Sequence, residues 1–220
     1  MREIRYLAIA DDLRAQIQSG ARAPGSVLPS EADLAGSYGV SRVTVRKALE
    51  VLRGEGLVDA RQGFGWFVPA DRVRQTLGPL STIEAELEGQ GRSPVRKVLS
   101  FRFADLDGDE VLEVVRVNLA DGQPFALVTV WCPAEIGRRL SRDDVESSTF
   151  YDLLPVPVAG ATQTIRAAAA DERDSEVLGV PVGSPLLVAE RVSRDADGNQ
   201  LLRSEHRFPA HLTEFVFDGS

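Results

Sequence analysis

Apolar residues recur at helical spacing along the first fifty positions. In Tyr6–Ser19, Leu7, Ala10, Leu13 and Ile17 fall three and four apart, which predicts one helix with a single apolar face. Gly20 ends it, and the following ARAPGSVLP is turn chemistry. Ser30 is placed to cap a second helix, with Asp33 at the capping-box position. That helix is short, because Gly39 stops it after Tyr38. Ser41 opens a third helix to about Arg53, with Val45, Leu49 and Leu52 on its core face. Gly54 and Gly56 close it. Two short strand-like runs, LVDAR and GWFVP, then flank Gln62-Gly63-Phe64-Gly65, which predicts a hairpin.

The pattern loses its period at residues 70–80, ADRVRQTLGPL, which read as a linker between a domain at 1–69 and one at 81–220. Beyond it, a helix around Thr82–Gly89 leads to strands near Val95–Phe103, Glu110–Leu119 and Pro124–Cys132. Asp107-Gly108 and Asp121-Gly122 are the hairpin turns between them. A short helical piece at Phe150–Leu154 and a helix at Asp171–Leu178 interrupt further strands near Thr162–Ala168, Leu186–Ser193 and Leu201–Phe208. Asp197-Gly198 turns the last pair, and Glu214–Phe217 adds a short strand. The fold class is α+β, with a largely antiparallel sheet in the second domain.

Composition narrows the setting. The single cysteine, Cys132, excludes an intramolecular disulfide and fits a reducing cytoplasm. The N-terminal stretch carries charges throughout, unlike a signal peptide, and no run approaches the ~20 apolar residues needed to span a membrane. The formal net charge of -8 is unevenly spread. Residues 1–70 hold nine Lys/Arg against eight Asp/Glu, and residues 71–220 hold sixteen against twenty-five. Bulk attraction to polyanions is thereby excluded, so any nucleic-acid contact must be local and shaped.

The third predicted helix offers such a contact. Arg42 and Arg46 lie four apart on a face away from the core, with Val43 and Lys47 beside them. Guanine edges or phosphates along a major groove satisfy both arginines, and Ser41 and Thr44 add hydroxyls near a helix N-terminus that favours phosphate. A short helix, a glycine turn, a capped helix and a glycine-tipped hairpin, in that order, make a winged helix-turn-helix. A solvated basic face is the plain alternative for the arginines taken alone.

LPSE, YGVSRVTVRKAL, LRGEGLV and a GxG ahead of FV together resemble the winged helix-turn-helix of the GntR family of bacterial transcription regulators, from about Tyr6 to Val68. The resemblance implies a double-stranded DNA operator as partner, Arg42 and Arg46 as principal contacts, and Gly63 at the wing tip. Two positions depart from the family. Ala32 stands where an arginine usually follows SE, and the wing reads Gly63-Phe64-Gly65-Trp66-Phe67 instead of GxGTF. Arg61 and Gln62 are candidates to compensate.

The second domain shows no GxSxG, P-loop or post-strand GxGxxG, and its two histidines, His206 and His211, lack metal-ligand companions at suitable spacing. No cofactor is expected and no enzymatic role. Arg116 two residues before NLADG, DGQPFALVTVWCP, FYDLL and LGVPVGSPLLVAERVSRDADG resemble the UTRA ligand-sensing domain of the HutC-type branch, which is similar in fold to chorismate lyase. The resemblance implies a polar or anionic small-molecule effector facing Arg116, Ser81 and Thr82. Tyr151 and Glu205 are further candidates, either as ligand contacts or, for Glu205, as a partner of Arg203 or Arg207. Arg116 itself reads equally as part of a solvated strand face. Asn118, Val128 and Thr129 stand where sugar-phosphate sensors of this branch tend to have a second Arg and a Glu.

The combined expectation is a cytoplasmic repressor that binds a pseudo-palindromic operator as a homodimer, pairing through Leu186–Ala189 and Phe215–Phe217. A lyase-like enzyme fused to a DNA-binding domain, or a ligand-independent repressor, are the alternatives.

Overall fold

The computed structural model describes residues 2–61, 64–70, 73–76, 87–89 and 91–216. The chain divides into two compact units, Met1–Asp71 with Gly179–Ser184, and Arg72–Leu178 with Pro185–Ser220.

The first unit is built from α1 (Arg2–Gln18), α2 (Glu31–Tyr38), α3 (Arg42–Gly54) and a hairpin of β1 (Asp59–Arg61) and β2 (Gly65–Phe67). Local chemistry sets the boundaries. Ser30 caps α2 by accepting the Asp33 N–H at 3.2 Å. Gly39 ends α2 with φ +61°, in left-handed space that costs glycine nothing. The core comprises Ile9, Ala10 and Leu13 of α1, Leu34 of α2, and Val45, Ala48, Leu49 and Leu52 of α3, closed by Val58, Trp66 and Val68. One position of α1 differs from the sequence reading. Leu7 is 44% exposed, and Ile9 faces inward in its place, so the buried stripe runs through Tyr6, Ile9, Ala10, Leu13 and Ile17. The hairpin is anchored from outside. The Leu28 N–H donates to Trp66 O at 2.8 Å, and Gly25 and Ser26 exchange backbone bonds with Val68.

The second unit is a six-stranded antiparallel sheet of β4 (Pro94–Leu106), β5 (Asp109–Ala120), β6 (Gln123–Pro133), β7 (Gly160–Ala169), β8 (Pro185–Arg194) and β9 (Gln200–Pro209), in the order β4-β5-β6-β9-β8-β7. Asp107-Gly108 and Asp121-Gly122 turn two hairpins, with positive φ at both residues of each. That conformation matches the right-handed twist of the flanking strands. The expected helices at Phe150–Leu153 and Glu172–Leu178 are present, and two unforeseen short helices, Ala134–Gly137 and Arg142–Ser147, follow β6. Ser141 and Asp144 form a reciprocal capping box on the second of these, a signal that was legible in the sequence.

The segment read as a linker contains a strand. β3 (Val73–Thr76) pairs in parallel with β10 (Thr213–Val216). The predicted helix at Thr82–Gly89 lies mostly outside the described residues; 87–89 are helical.

Candidate nucleic-acid interface

The recognition face follows from how α3 is capped and buried. Ser41 Oγ accepts the Thr44 N–H at 3.3 Å and shares a hydrogen bond of 2.9 Å with Thr44 Oγ1. The two predicted hydroxyl contacts therefore occupy each other at the helix N-terminus. Val45, Ala48, Leu49 and Leu52 are fully buried. The opposite face presents Arg42, Val43, Arg46 and Lys47 to solvent. Val43, at 67% exposure, is an apolar side chain held in the open among three cations. That combination suits a groove that offers phosphates, acceptor edges and thymine methyls.

Arg46 has a partner that the sequence did not reveal. Its Nε and Nη2 donate to Glu31 Oε1 and Oε2 at 2.8 and 2.6 Å, a fork-to-fork pair of the strong kind. Trp66 Nε1 also donates to Glu31 Oε1, at 3.3 Å. Glu31, the first residue of α2, thus joins the recognition helix to the wing strand. The Arg46 fork holds the Glu31 carboxyl below the ordinary carboxylate range, against partial desolvation and with help from the Trp66 N–H. The signals present in the sequence were the Glu of LPSE and a tryptophan where the family wing has threonine.

Arg61 closes β1 with its guanidinium 5.8 Å from the Phe67 ring centroid. Phe67 in turn packs edge-on against Phe64 at 5.5 Å. Gln62 and Gly63, the predicted wing tip, lie outside the described residues.

In the second unit the register decides which predicted effector residues can meet. Arg116 stands opposite Val128, and Val128 opposite His206, so all three share one face of the sheet. Arg116 is only 6% exposed, which excludes the solvated strand face. Its guanidinium lies 5.9 Å from the Phe150 ring. Tyr151, next in the same short helix, has its hydroxyl 3.5 Å from Ser193 Oγ and its ring 5.7 Å from the Arg191 guanidinium. The structure therefore gathers Arg116 and Tyr151 on one face and adds Arg191, Ser193, Ser204 and His206, which sequence reasoning did not single out as effector contacts. His206 Nε2 lies 3.1 Å from Ser204 Oγ.

Glu205 takes the second of its two expected readings, as a partner of Arg207. It stands opposite Thr129 and Glu190, one residue out of step with His206, so its side chain leaves the sheet on the other face. There it pairs with Arg166 at 2.8 Å and Arg207 at 3.4 Å, while Arg203 pairs with Glu190 at 3.2 Å. Ser81 and Thr82 lie outside the described residues. An open groove of about 570 Å³ sits at the far end of the sheet against Glu110, Trp131, Cys132 and Arg138, among others; neither Arg116 nor Tyr151 lines it.

The described residues expected at the dimer contact are largely engaged within the chain. Leu186, Val188 and Ala189 are buried within their own subunit, and Phe215 packs edge-on against Phe208 at 5.7 Å. Among the described residues no group of three or more His, Cys, Asp or Glu is placed to hold a metal ion, and no helix is long and apolar enough to cross a membrane.

A capped recognition helix beside a tied hairpin, followed by an antiparallel sheet with polar residues on one face, defines a winged-helix DNA-binding regulator with a separate ligand-sensing domain. Residues 5–68 match the family model described as bacterial regulatory proteins, gntR family, and residues 89–213 match the UTRA domain. The mannosyl-D-glycerate transport/metabolism system repressor MngR of Escherichia coli (strain K12) is 30% identical over 92% of this chain and 90% of its own length. The HTH-type transcriptional repressor NagR of Bacillus subtilis (strain 168) is 29% identical over 96% and 93%. The crystal structure of PhnF from Mycobacterium smegmatis superposes with a TM-score of 0.64 at 24% identity, covering 96% of this chain and 98% of that one, a likeness of fold. This chain belongs to the GntR family and carries a UTRA domain in the manner of the HutC-type branch. It is a DNA-binding transcription regulator under effector control.

Proposed function

We propose that the protein is a cytoplasmic homodimeric repressor of a pseudo-palindromic operator, released by a polar or anionic small molecule. Residues 1–69 read DNA, 81–220 sense the effector and pair the subunits, and 70–80 connect them. The carrying observation is the open face of α3, where Arg42, Val43, Arg46 and Lys47 stand around a fully buried opposite side. Arg42 and the outward N–H groups of Arg46 meet base edges, and Lys47 meets phosphate. Val43 meets a thymine methyl, and Ser41 and Thr44 hold the helix start against the backbone. Arg61, Gln62 and Gly63 carry the wing to the adjacent groove. Two such heads on a two-fold axis double the readout.

The effector lies on the Arg116 face. Two arginines, a histidine and the Tyr151 and Ser193 hydroxyls collected on one side of a sheet support an anionic or strongly polar ligand. The ligand acts as a switch and is not turned over. Coupling between effector and operator of ~1–3 kcal/mol, typical of such regulators, changes occupancy several-fold to a hundred-fold.

The test is fluorescence-anisotropy titration on an operator selected from random DNA, comparing wild type with Arg42→Ala. Selection of a two-fold site, and loss of ~1–3 kcal/mol of discrimination at one position per half-site in the variant, support the reading. Enrichment of no sequence by the wild type refutes it. Recovery of a stabilising ligand chemically unchanged separates the sensor from a lyase-like enzyme.

A further inference from the structure

The two arginines of the effector face stand at opposite ends of it. Across the ladder from Arg116, Val128, His206 and Ala189 follow in one row on β6, β9 and β8, and Arg191 lies two residues beyond Ala189. Three strand spacings across and two residues along separate the Arg116 and Arg191 Cα atoms by about 16 Å. The charged side chains that these four strands bring to this stretch of the face are Arg116 and Arg191, with His206 between them.

Each guanidinium is backed by its own ring. Arg116 lies 5.9 Å from the centroid of Phe150, and Arg191 lies 5.7 Å from that of Tyr151. Successive side chains leave a helix about 100° apart, so the short helix Phe150–Leu153 holds the two cations away from each other. A single phosphate shared by both would draw at least one of them off its ring. The two ends also differ in polarity. Arg116 is 6% exposed and has the buried Val128 opposite it. Arg191 is half-buried, has the half-buried Ser204 opposite it, and donates to Gln163 Oε1 at 3.4 Å. The Tyr151 hydroxyl lies beside Ser193 at that same end.

We infer that the effector is an elongated dianion, with one acidic group on Arg116, a second on Arg191, and a link lying over the row between them. Val128 and Ala189, both buried in that row, suit methylene groups. The inference rests on the effector reading given above and adds to it the class of molecule, with Arg191 as the residue that selects for length. A guanidinium shielded from water binds a carboxylate or phosphate strongly, so the Arg116 end supplies affinity. The Arg191 end is more open and competes with water. Its contribution is discrimination between molecules with one acidic group and those with two.

Isothermal titration calorimetry of the full chain tests it, using α,ω-dicarboxylates from glutarate to sebacate and the monocarboxylates of equal carbon number. An optimum length is expected at which the diacid binds about ten-fold or more tightly than its monoacid. In Arg191→Gln that advantage disappears while monoacid affinity is kept, because the monoacid seats on Arg116. Retained monoacid binding also shows that the site remains folded. Arg191→Lys keeps the charge but not the fork, and is expected to restore part of the advantage. Diacids no better than monoacids, or an advantage that survives Arg191→Gln, overturn the proposal and leave the anionic-effector reading standing. A fall in monoacid and diacid affinity alike in both Arg191 variants makes Arg191 the only anchor and overturns it too. Binding of neither series overturns both readings.

Discussion

Glu31 and Arg46, fifteen residues apart, meet through two parallel hydrogen bonds of 2.8 and 2.6 Å. The pair fixes the plane of a guanidinium whose side chain remains 65% exposed, and Trp66 holds the carboxylate from behind. An arginine fixed in this way meets DNA with less side-chain freedom left to lose.

Glu31→Gln separates two roles by the sign of its effect. As a positioning residue, Glu31 is worth about 1–2 kcal/mol of operator discrimination, so the variant binds its operator more weakly while its affinity for unrelated DNA holds or rises. If the carboxylate only damps the charge of Arg46, the variant tightens on all DNA alike. Anisotropy titrations on operator and scrambled duplexes across a salt series distinguish these outcomes.

Lys47→Ala addresses phosphate contact. Its expected signature is uniform weakening across sequences, with the slope of log K against log salt falling by about 1 per subunit contact. A change confined to one base position would instead make Lys47 a base reader.

Asp174 and Arg207 form the most deeply set ion pair described in the second unit. Asp174 is 1% exposed and receives Arg207 Nε and Nη2 at 2.7 and 2.6 Å. Burial opposes its ionisation, yet the Arg207 fork and the Asp171 N–H hold its pKa below the ordinary carboxylate value. A carboxylate with a depressed native pKa stabilises fully above its unfolded value of about 4, and the gain is lost as pH falls through the native value. Asp174→Asn leaves the half-buried Arg207 guanidinium with Glu205 as its carboxylate partner and is expected to cost about 2 kcal/mol at neutral pH. It should also flatten the acid limb of the stability curve. Urea unfolding between pH 7 and pH 3 checks both.

Gly39→Ala forces a side chain into φ +61° at the turn of the DNA-binding motif. The expected loss is ~1–2 kcal/mol, read as a lower thermal midpoint of the first unit. Operator affinity should recover on cooling, because the residue lies outside the open face of α3.

Elements set by local chemistry were legible in the order of residues alone. Ser30, Gly39 and Ser41 mark the ends of α2 and α3, and Asp-Gly pairs mark two hairpins, because caps and turns depend on a few adjacent residues. What depended on distant pairing was not legible. The face that Glu205 takes follows from the register of β6, β8 and β9, and a one-residue step reverses it. The partner of Arg46 lies in another helix. β3 looked like a linker because four residues show no period, and its partner strand is at the other end of the domain. The burial of Leu186, Val188 and Ala189 came from a strand covered by neighbours on both sides, which an apolar run in isolation does not distinguish from a free surface.

The parallel pairing of β3 with β10 makes a clasp of the first and last described strands of the second compact unit. The chain enters the domain on one strand of the clasp and completes it on the other, so the two ends of the sensor share a single local fate. A truncation or a bulky fusion after Leu212 therefore acts at once on the segment that leaves the DNA-binding unit, although the whole sensor intervenes in sequence. An affinity tag placed behind β10 of this regulator is therefore also an intervention at β3.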